Sequence, residues 1–186
     1  MGACNCNEFN NEEIRDLRIS IYTLKIINIC QDNIKREAAN GNIESTIEYC
    51  LEDGLYATVG GILRKRGYNT TINKDSITVS WYDAGRHISK GDPNDFTAHD
   101  AYVSSISVHK NKIRHSLERN GYYTWNLRTF KNKIYTQYIE DVIQEYSSPL
   151  YNIEYGETIS DGRDRTHIDN KVIINCIIIK RVPGLL

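Results

Sequence analysis

The sequence predicts an α+β protein with two small lobes, each combining helices with a short, mainly antiparallel sheet. Three observations predict this class. Apolar residues recur at helical spacing in four segments, they alternate at strand spacing in short segments between the helices, and the period changes at stops that contain glycine. At 186 residues the chain is long enough for one ordinary core or two small lobes.

The first element is a predicted helix that begins with Asn10 or Asn11 as its cap. An apolar stripe at 3-4-3 spacing marks its face: Ile14, Leu17, Ile21 and Leu24. Such a stripe could serve a partner helix, but we expect it to pack on the protein's own sheet. It continues less cleanly through Ile27, Ile34 and Ala38, as one long helix or as two helices joined near residues 31–33. A strand over residues 18–30 is the competing interpretation, because β-branched residues are dense there.

Residues 34–82 predict a β-α-β-β unit. Asn40-Gly41-Asn42 closes the first helix, because Gly and Asn reach the left-handed conformation that a helix end requires. A strand follows, with Ile43, Ile47 and Tyr49 on alternate positions. Asp53 caps a second helix that ends at Gly67, and its apolar stripe is Leu55, Val59, Ile62 and Leu63.

Two further strands complete that unit. Residues 68–73 predict the first, and residues 73–75 predict a turn. Ile77, Val79 and Trp81 alternate along the second strand. Gly60-Gly61 lies within the second helix, where we expect it to permit close packing.

Residues 83–96 predict a loop that joins an N-terminal lobe, residues 1–82, to a C-terminal lobe, residues 97–186. Thr97 and Asp100 form a capping box for a helix that runs to Asn120 and stops at Gly121. The predicted buried stripe of this helix is Tyr102 or Val103, Ile106, Ile113 and Leu117.

The remaining C-terminal elements are two strands, a helix between them and a final strand. Tyr123, Trp125 and Leu127 alternate in the first strand. The helix, about residues 129–147, is predicted to bury Ile134, Tyr138, Val142 and Tyr146. Strands are predicted at residues 150–155 and 171–182, and the last is almost continuously apolar, which is typical of a central strand.

The run from Ala38-Ala39-Asn40-Gly41 through the stop Arg66-Gly67-Tyr68 to Ser80-Trp81 resembles small α+β modules in uncharacterised proteins of tailed phages and large DNA viruses. The resemblance spans residues 34–82, about a quarter of the chain. It implies a virus-encoded protein, in the virion or in the host cytoplasm. It supplies no catalytic signature and no site residues.

Basic side chains are concentrated in the middle of the chain. The net charge is −1, but residues 1–60 carry 5 basic and 10 acidic side chains, residues 61–135 carry 13 and 6, and residues 136–186 carry 5 and 8. If the basic helix ends share one face, they would neutralise phosphates, and Tyr122, Tyr123 and Trp125 could stack on bases. The predicted contact residues are Arg64, Lys65, Arg66, Lys110, Lys112, Arg114, Arg119, Arg128, Lys131 and Lys133.

The ordinary interpretation of these cations is that helix C-termini favour them and that the aromatic side chains belong to the core. A sequence pI near 6.5 also argues against a dedicated nucleic-acid binder. A nucleic-acid-binding module is therefore an alternative function rather than the main prediction.

No set of residues in the sequence has the spacing of a catalytic or cofactor motif, so we expect neither catalysis nor a cofactor. The histidines lack metalloprotease spacing, and no Gly-rich phosphate loop follows a strand. The weak candidates for a metal site are Asp161, Asp164, His167 and Asp169. A metal-dependent hydrolase built on this loop is the second alternative, against a solvated hairpin loop of alternating charge.

The N-terminus offers a lipidation motif. Gly2 could be myristoylated, with a second acyl chain on Cys4 or Cys6, although the motif requires Ser or Thr at position 6. We expect no signal peptide, because Met-Gly-Ala-Cys-Asn-Cys lacks an apolar core, and no transmembrane segment.

These observations favour a non-catalytic structural or interaction protein, as a component of a virion or of its assembly. Segregated charge, 13 tyrosines and the missing catalytic set support this prediction. The expected partners are other protein subunits, in a homo- or hetero-oligomer.

Overall fold

In both halves of the chain, helices end at a glycine and a strand follows, as the sequence predicts. The computed structural model describes residues 11–48, 55–84, 95–127, 136–160 and 172–184, with side chains described except at 11–17, 136, 157–160 and 172–175. The elements in chain order are α1 (Asn11–Ala39), β1 (Glu44–Glu48), α2 (Leu55–Lys65), β2 (Asn69–Ile72), β3 (Ser76–Ser80), α3 (Ala98–Asn120), β4 (Tyr122–Asn126), α4 (Thr136–Ile143), a 3₁₀ turn (Gln144–Tyr146), β5 (Tyr151–Ser160) and β6 (Val172–Arg181).

The chain divides into two units, Met1–Tyr102 (unit 1) and Val103–Leu186 (unit 2). Each unit contains helices and one three-stranded antiparallel sheet, which confirms the predicted α+β class. The predicted connecting loop, residues 83–96, lies mostly outside the described residues. Its role as the boundary between the lobes stays a prediction.

The sheet of unit 1 has the strand order β1-β3-β2, so β3 is central. Ile77 of β3 is paired with Ile47 of β1 and with Ile72 of β2. This register places an apolar row on the face that α1 and α2 cover, and Ile47 and Ile77 are buried there. The predicted β-α-β-β unit is therefore confirmed.

Trp81 and Tyr68 pack against each other in the core of unit 1. Their rings meet edge to face at 6.4 Å between centroids, and both side chains are buried. The Tyr68 hydroxyl donates a hydrogen bond of 3.0 Å to the carbonyl oxygen of Phe96. Burial is the main cause that raises the pKa of this hydroxyl, so it stays protonated.

The second helix, α2, buries a face one position away from the predicted stripe. Its buried residues are Tyr56, Val59, Gly60 and Leu63, whereas the predicted Leu55 and Ile62 are only half-buried. A Cβ built on Gly60 would lie 3.1 Å from Cδ1 of Ile72 in β2, so Gly60 permits the close packing that we predicted. The predicted cap Asp53 lies outside the described residues.

Gly67 ends α2 as predicted. Its φ is 87°, a left-handed conformation in which glycine has no Cβ penalty. The Tyr68 N–H donates to the Leu63 carbonyl and the Gly67 N–H donates to the Arg64 carbonyl, which satisfies carbonyls at the end of the helix. Arg64 and Lys65 occupy the last turn.

In unit 2 the strand order is β4-β6-β5, which confirms that the apolar last strand is central. Ile177 and Ile179 of β6 are fully buried, and Trp125 of β4 lies opposite Ile177. β5 is longer than predicted, because its pairing with β6 continues to Ser160. Leu127, predicted in the β4 strand, follows its end.

The helix α3 begins with the predicted capping box. Asp100 Oδ2 accepts from the Thr97 N–H at 2.8 Å, and Thr97 Oγ1 accepts from the Asp100 N–H at 3.3 Å. Its buried residues are Ala98, Ala101, Tyr102, Ser105, His109, Ile113 and Leu117. The alternative Val103 is exposed, and Ile106 is only half-buried.

The predicted helix over residues 129–147 is described from Thr136 onward, as α4 followed by the 3₁₀ turn. Tyr138, Val142 and Tyr146 are buried as predicted, and Ile134 lies outside the described residues. The Tyr146 hydroxyl donates a 3.1 Å hydrogen bond to the Lys110 carbonyl oxygen, which attaches the turn to α3.

Candidate interaction surface

The N-terminal half of α1 exposes a group of large apolar side chains. Fractional exposures are 41% for Ile19, 57% for Ile21, 59% for Tyr22 and 62% for Leu24. Residues 19–24 are called the apolar segment below. Within the described residues the other exposed large apolar side chains are Ile72, Val103, Tyr122 and Tyr155, which lie on separate elements.

The apolar segment contradicts the predicted burial of this part of α1. The structure shows one continuous helix, so the strand interpretation of residues 18–30 and the division near residues 31–33 are wrong. The predicted stripe residues Ile21 and Leu24 face solvent instead of the sheet. The side chains of Ile14 and Leu17 lie outside the described part of the chain.

The face of α1 that is buried is a different one. It contains Thr23, Ile26, Ile27, Cys30, Ile34 and Ala38. This face packs on β1 and α2. The core contact is therefore formed in part by Ile27, Ile34 and Ala38, which continue the predicted stripe with less regular spacing.

Two of the three unit 1 cations that were predicted to contact phosphate interact with the protein's own side chains instead. Arg66 Nη2 lies 2.7 Å from Asp95 Oδ1, and the Arg66 side chain is only 17% exposed. Arg64 Nη1 donates a 2.7 Å hydrogen bond to Thr70 Oγ1. Lys65, next to them, is exposed.

The predicted contacts of unit 2 are also partly paired. The carboxylate of Glu145 lies 3.5 Å from Lys110 Nζ and 4.0 Å from Arg114 Nη2. Lys112 and Arg119 are exposed on the same helix. Arg128, Lys131 and Lys133 lie outside the described residues. Three of the predicted cations thus neutralise the protein's own carboxylates, and the nucleic-acid function stays a prediction.

The aromatic residues near these cations differ in accessibility. Trp125 is buried, so its faces cannot receive a base, whereas Tyr122 is 54% exposed. Tyr123 is half-buried, and burial raises the pKa of its hydroxyl. Tyr122 is therefore the best placed of the three for stacking.

His109 belongs to an aromatic cluster in the core of unit 2, which sequence reasoning missed. Its ring lies 4.6 Å from the Trp125 ring and 6.1 Å from the Tyr138 ring, centroid to centroid. His109 shares one helix face with Ile113 and Tyr102, so its helical spacing was the available signal. The cluster packs α3 and α4 on β4.

Two buried titratable groups among the described residues, Cys30 and Tyr146, have raised pKa values. Burial raises the pKa of the Cys30 thiol to about 11, so this thiol is neutral and a poor nucleophile near pH 7. Burial and the neighbouring Glu145 raise the pKa of the Tyr146 hydroxyl. Both groups are therefore protonated near pH 7.

The remaining predicted sites fall outside the described residues. They are the metal candidates Asp161, Asp164, His167 and Asp169 and the lipidation candidates Gly2, Cys4 and Cys6. Among the described residues, no group of three or more His, Cys, Asp or Glu side chains is placed to hold a metal ion.

None of the described helices combines the length and the apolar character that a membrane span requires. The apolar segment of α1 is the main candidate surface in the described residues, because several exposed large apolar side chains lie on this one element. In comparisons with known proteins, the chain matches no protein-family model, no curated protein and no solved structure.

Proposed function

We propose that this protein acts without catalysis, by binding other protein subunits through the apolar segment of α1, in a virion or during virion assembly. The observation that carries the proposal is the exposure of Ile21, Tyr22 and Leu24 on an ordered helix, each by more than half. Ile21 and Leu24 share one face of α1, and exposed apolar side chains that share a face form the kind of patch that marks an interaction site.

Burial of this segment would contribute a useful binding energy. Each large apolar side chain that leaves water contributes about 1.5–3 kcal/mol when it is fully buried. The segment is already helical, because α1 continues from it into the core contact around Cys30 and Ile34. The helix therefore loses little conformational entropy on binding.

One sequence feature supports the viral setting, and another supports an interaction role. Residues 34–82 resemble small α+β modules in uncharacterised proteins of tailed phages and large DNA viruses. The chain also contains 13 tyrosines, a residue type enriched at protein interfaces. Tyr155, at 72% exposure, and Tyr122 are two examples on unit 2.

The proposal is tested by co-sedimentation of the chain with purified virus particles or assembly intermediates from its source. The wild-type chain is expected in the particle fraction, and Leu24→Glu is expected to be lost from it, because a carboxylate in an apolar contact is costly to desolvate. Thr71→Glu is the matched control, since it adds the same charge at another exposed position of unit 1.

Both variants are first checked by circular dichroism and thermal unfolding. Incorporation of Leu24→Glu at the wild-type level would contradict the proposed surface. Absence of the wild-type chain from particles and from assembly intermediates would contradict the viral setting.

A further inference from the structure

The apolar segment contains part of a heptad pattern whose exposed side chains lie on one face of α1. Ile14, Leu17, Ile21 and Leu24 occupy the alternating a and d positions of two heptads. The structure leaves Ile21 and Leu24 exposed by 57% and 62%. The next a position is Asn28, and it is also exposed.

This seam lies on the far side of α1 from the protein's own core. At 3.6 residues per turn, the centre of the seam is roughly 130° around the helix axis from the centre of the buried face. The buried face, represented by Cys30, Ile34 and Ala38, is fully occupied by unit 1. A second helix can therefore pack on the seam without displacing the core.

We propose that the seam pairs with the same seam of a second copy of this chain, as a short parallel two-stranded coiled coil. The residue types support this partner, because Ile at a with Leu at d favours two parallel strands. A single Asn at an a position, here Asn28, specifies register and dimeric state at some cost in stability. This inference rests on the proposed function and names its partner.

The charges beside the seam favour the parallel orientation. By sequence spacing, residue Glu13 occupies a g position and Arg18 the following e position, and g and following e positions of the two helices are neighbours in a parallel coiled coil. In an antiparallel pair, e positions face e positions. Arg18 and Lys25, both at e and both basic, would then repel each other.

Two heptads form a short coil, so the dimer is expected to be weak and to depend on protein concentration. An isolated peptide of this length would be a marginal helix in water. Here α1 extends over 29 residues, and its C-terminal half is held by the core. The helix is thus preformed, which lowers the entropic cost of pairing.

The test is sedimentation equilibrium of the full-length chain over a wide concentration range. The wild type is expected to shift from monomer to dimer as concentration rises. Leu24→Lys is expected to raise the dimer dissociation constant by about a hundredfold or more, because a buried leucine is lost from both helices. Val103→Lys is the matched control, because Val103 is an apolar helix residue at 47% exposure that lies outside the apolar segment.

Orientation is tested with charge changes at the two flanking positions. In the parallel dimer, Glu13→Arg is expected to weaken dimerisation about fivefold, and the double variant Glu13→Arg/Arg18→Glu is expected to restore it. No effect of Glu13→Arg on a dimer that Leu24→Lys dissociates would overturn the parallel arrangement.

Other outcomes also decide the proposal. A wild-type chain that stays monomeric at all concentrations overturns it, and so does a dimer that Val103→Lys weakens as much as Leu24→Lys. A monomeric chain that still enters particles through Leu24 would overturn the dimer alone and leave the proposed function standing. A dimer that enters neither particles nor assembly intermediates would leave the coil standing and contradict the viral setting.

Discussion

The two halves of α1 have similar apolar content but opposite surroundings. In the C-terminal half, Cys30, Ile34 and Ala38 are fully buried against β1 and α2. In the N-terminal half, Ile21 and Leu24 are exposed by more than half. The comparison shows that an apolar helix face is buried only where another element of the fold is available to cover it.

The position of a side chain around the helix axis explains the difference. Thr23, Ile26 and Ile27 flank Leu24 in the sequence and are buried, so the fold covers one side of α1 at this level. At 3.6 residues per turn, the face that contains Ile21 and Leu24 is centred roughly 130° around the helix axis from the buried face. Ile21 and Leu24 are therefore exposed although their neighbours in the sequence are buried.

The largest expected effect is a core substitution in the buried half. Ile34→Ala is expected to lower the free energy of unfolding by about 2–5 kcal/mol, because it leaves a cavity between α1 and the sheet. Leu24→Ala, a similar truncation in the exposed half, is expected to change it by less than about 0.5 kcal/mol. Urea denaturation at a low protein concentration, where the chain is monomeric, measures both values.

Equal costs for the two truncations would contradict the comparison. They would indicate that Leu24 is covered by the chain's own residues rather than exposed for a partner.

A second prediction concerns alkaline pH and Cys30. Its thiol has an ordinary pKa of 9.0, and burial raises this pKa to about 11 in the folded protein. Because the folded state holds the proton more tightly, this contribution to stability is fully present below pH 9 and is lost as pH rises toward 11. The total loss is on the order of 2 kcal/mol.

Cys30→Ala tests this assignment. Denaturation midpoints of the wild type are expected to fall between pH 9 and pH 10, and the decline in the variant is expected to be smaller. An identical decline in the two proteins would exclude Cys30 as the cause. The tyrosines Tyr68 and Tyr146, whose pKa values are also raised, contribute mainly above pH 10.

Gly41, which follows the buried half, provides a third prediction. Its φ is 87°, and its N–H donates to the Ala38 carbonyl while the Asn42 N–H donates to the Glu37 carbonyl. Gly41→Ala is expected to cost about 1–2 kcal/mol, because a Cβ is unfavourable in the left-handed conformation. Thermal unfolding measures this cost, and Gly61→Ala in α2 is the control, because it adds a Cβ where no atom lies within 4 Å and where φ is not positive.

A wild-type melting temperature for Gly41→Ala would mean that the helix end can rearrange without loss. The buried half would then not depend on the stop that the sequence predicts.

The smallest expected effect concerns local opening rather than global stability. Amide hydrogen exchange of residues 19–24 is expected to be at least about a hundredfold faster than that of residues 30–38, because the exposed half has few tertiary contacts. If a second copy pairs with the seam, protection of residues 19–24 will rise with protein concentration and protection of residues 30–38 will not. Uniform protection along α1 at low concentration would contradict the comparison.

Local chemistry made much of the fold predictable. The stop at Gly67, the capping box of Thr97 and Asp100, and the alternation of Ile77, Val79 and Trp81 all depend on neighbours within a few residues, and each is found in the structure. The central position of β6 was predictable because a continuously apolar strand requires cover on both faces.

The candidate site was only half predictable. The 3-4-3 stripe of α1 showed that Ile21 and Leu24 share a helix face, and the alternative of a partner helix was visible in the spacing. Periodicity does not say which of two apolar faces the fold covers, so the burial of this face was predicted wrongly. The burial of His109 was missed for a related reason, since an imidazole is found both in cores and on surfaces.

The sequence by itself determined the order of the helices and strands and the helix stops at Gly41, Gly67 and Gly121, because caps, stops and side-chain alternation act over a few residues. Only the tertiary structure decided that the face of α1 with Cys30 and Ile34 is buried while the face with Ile21 and Leu24 is exposed. The physical reason is that burial of a helix face depends on where other elements lie around the helix, which is set by contacts between residues far apart in the chain.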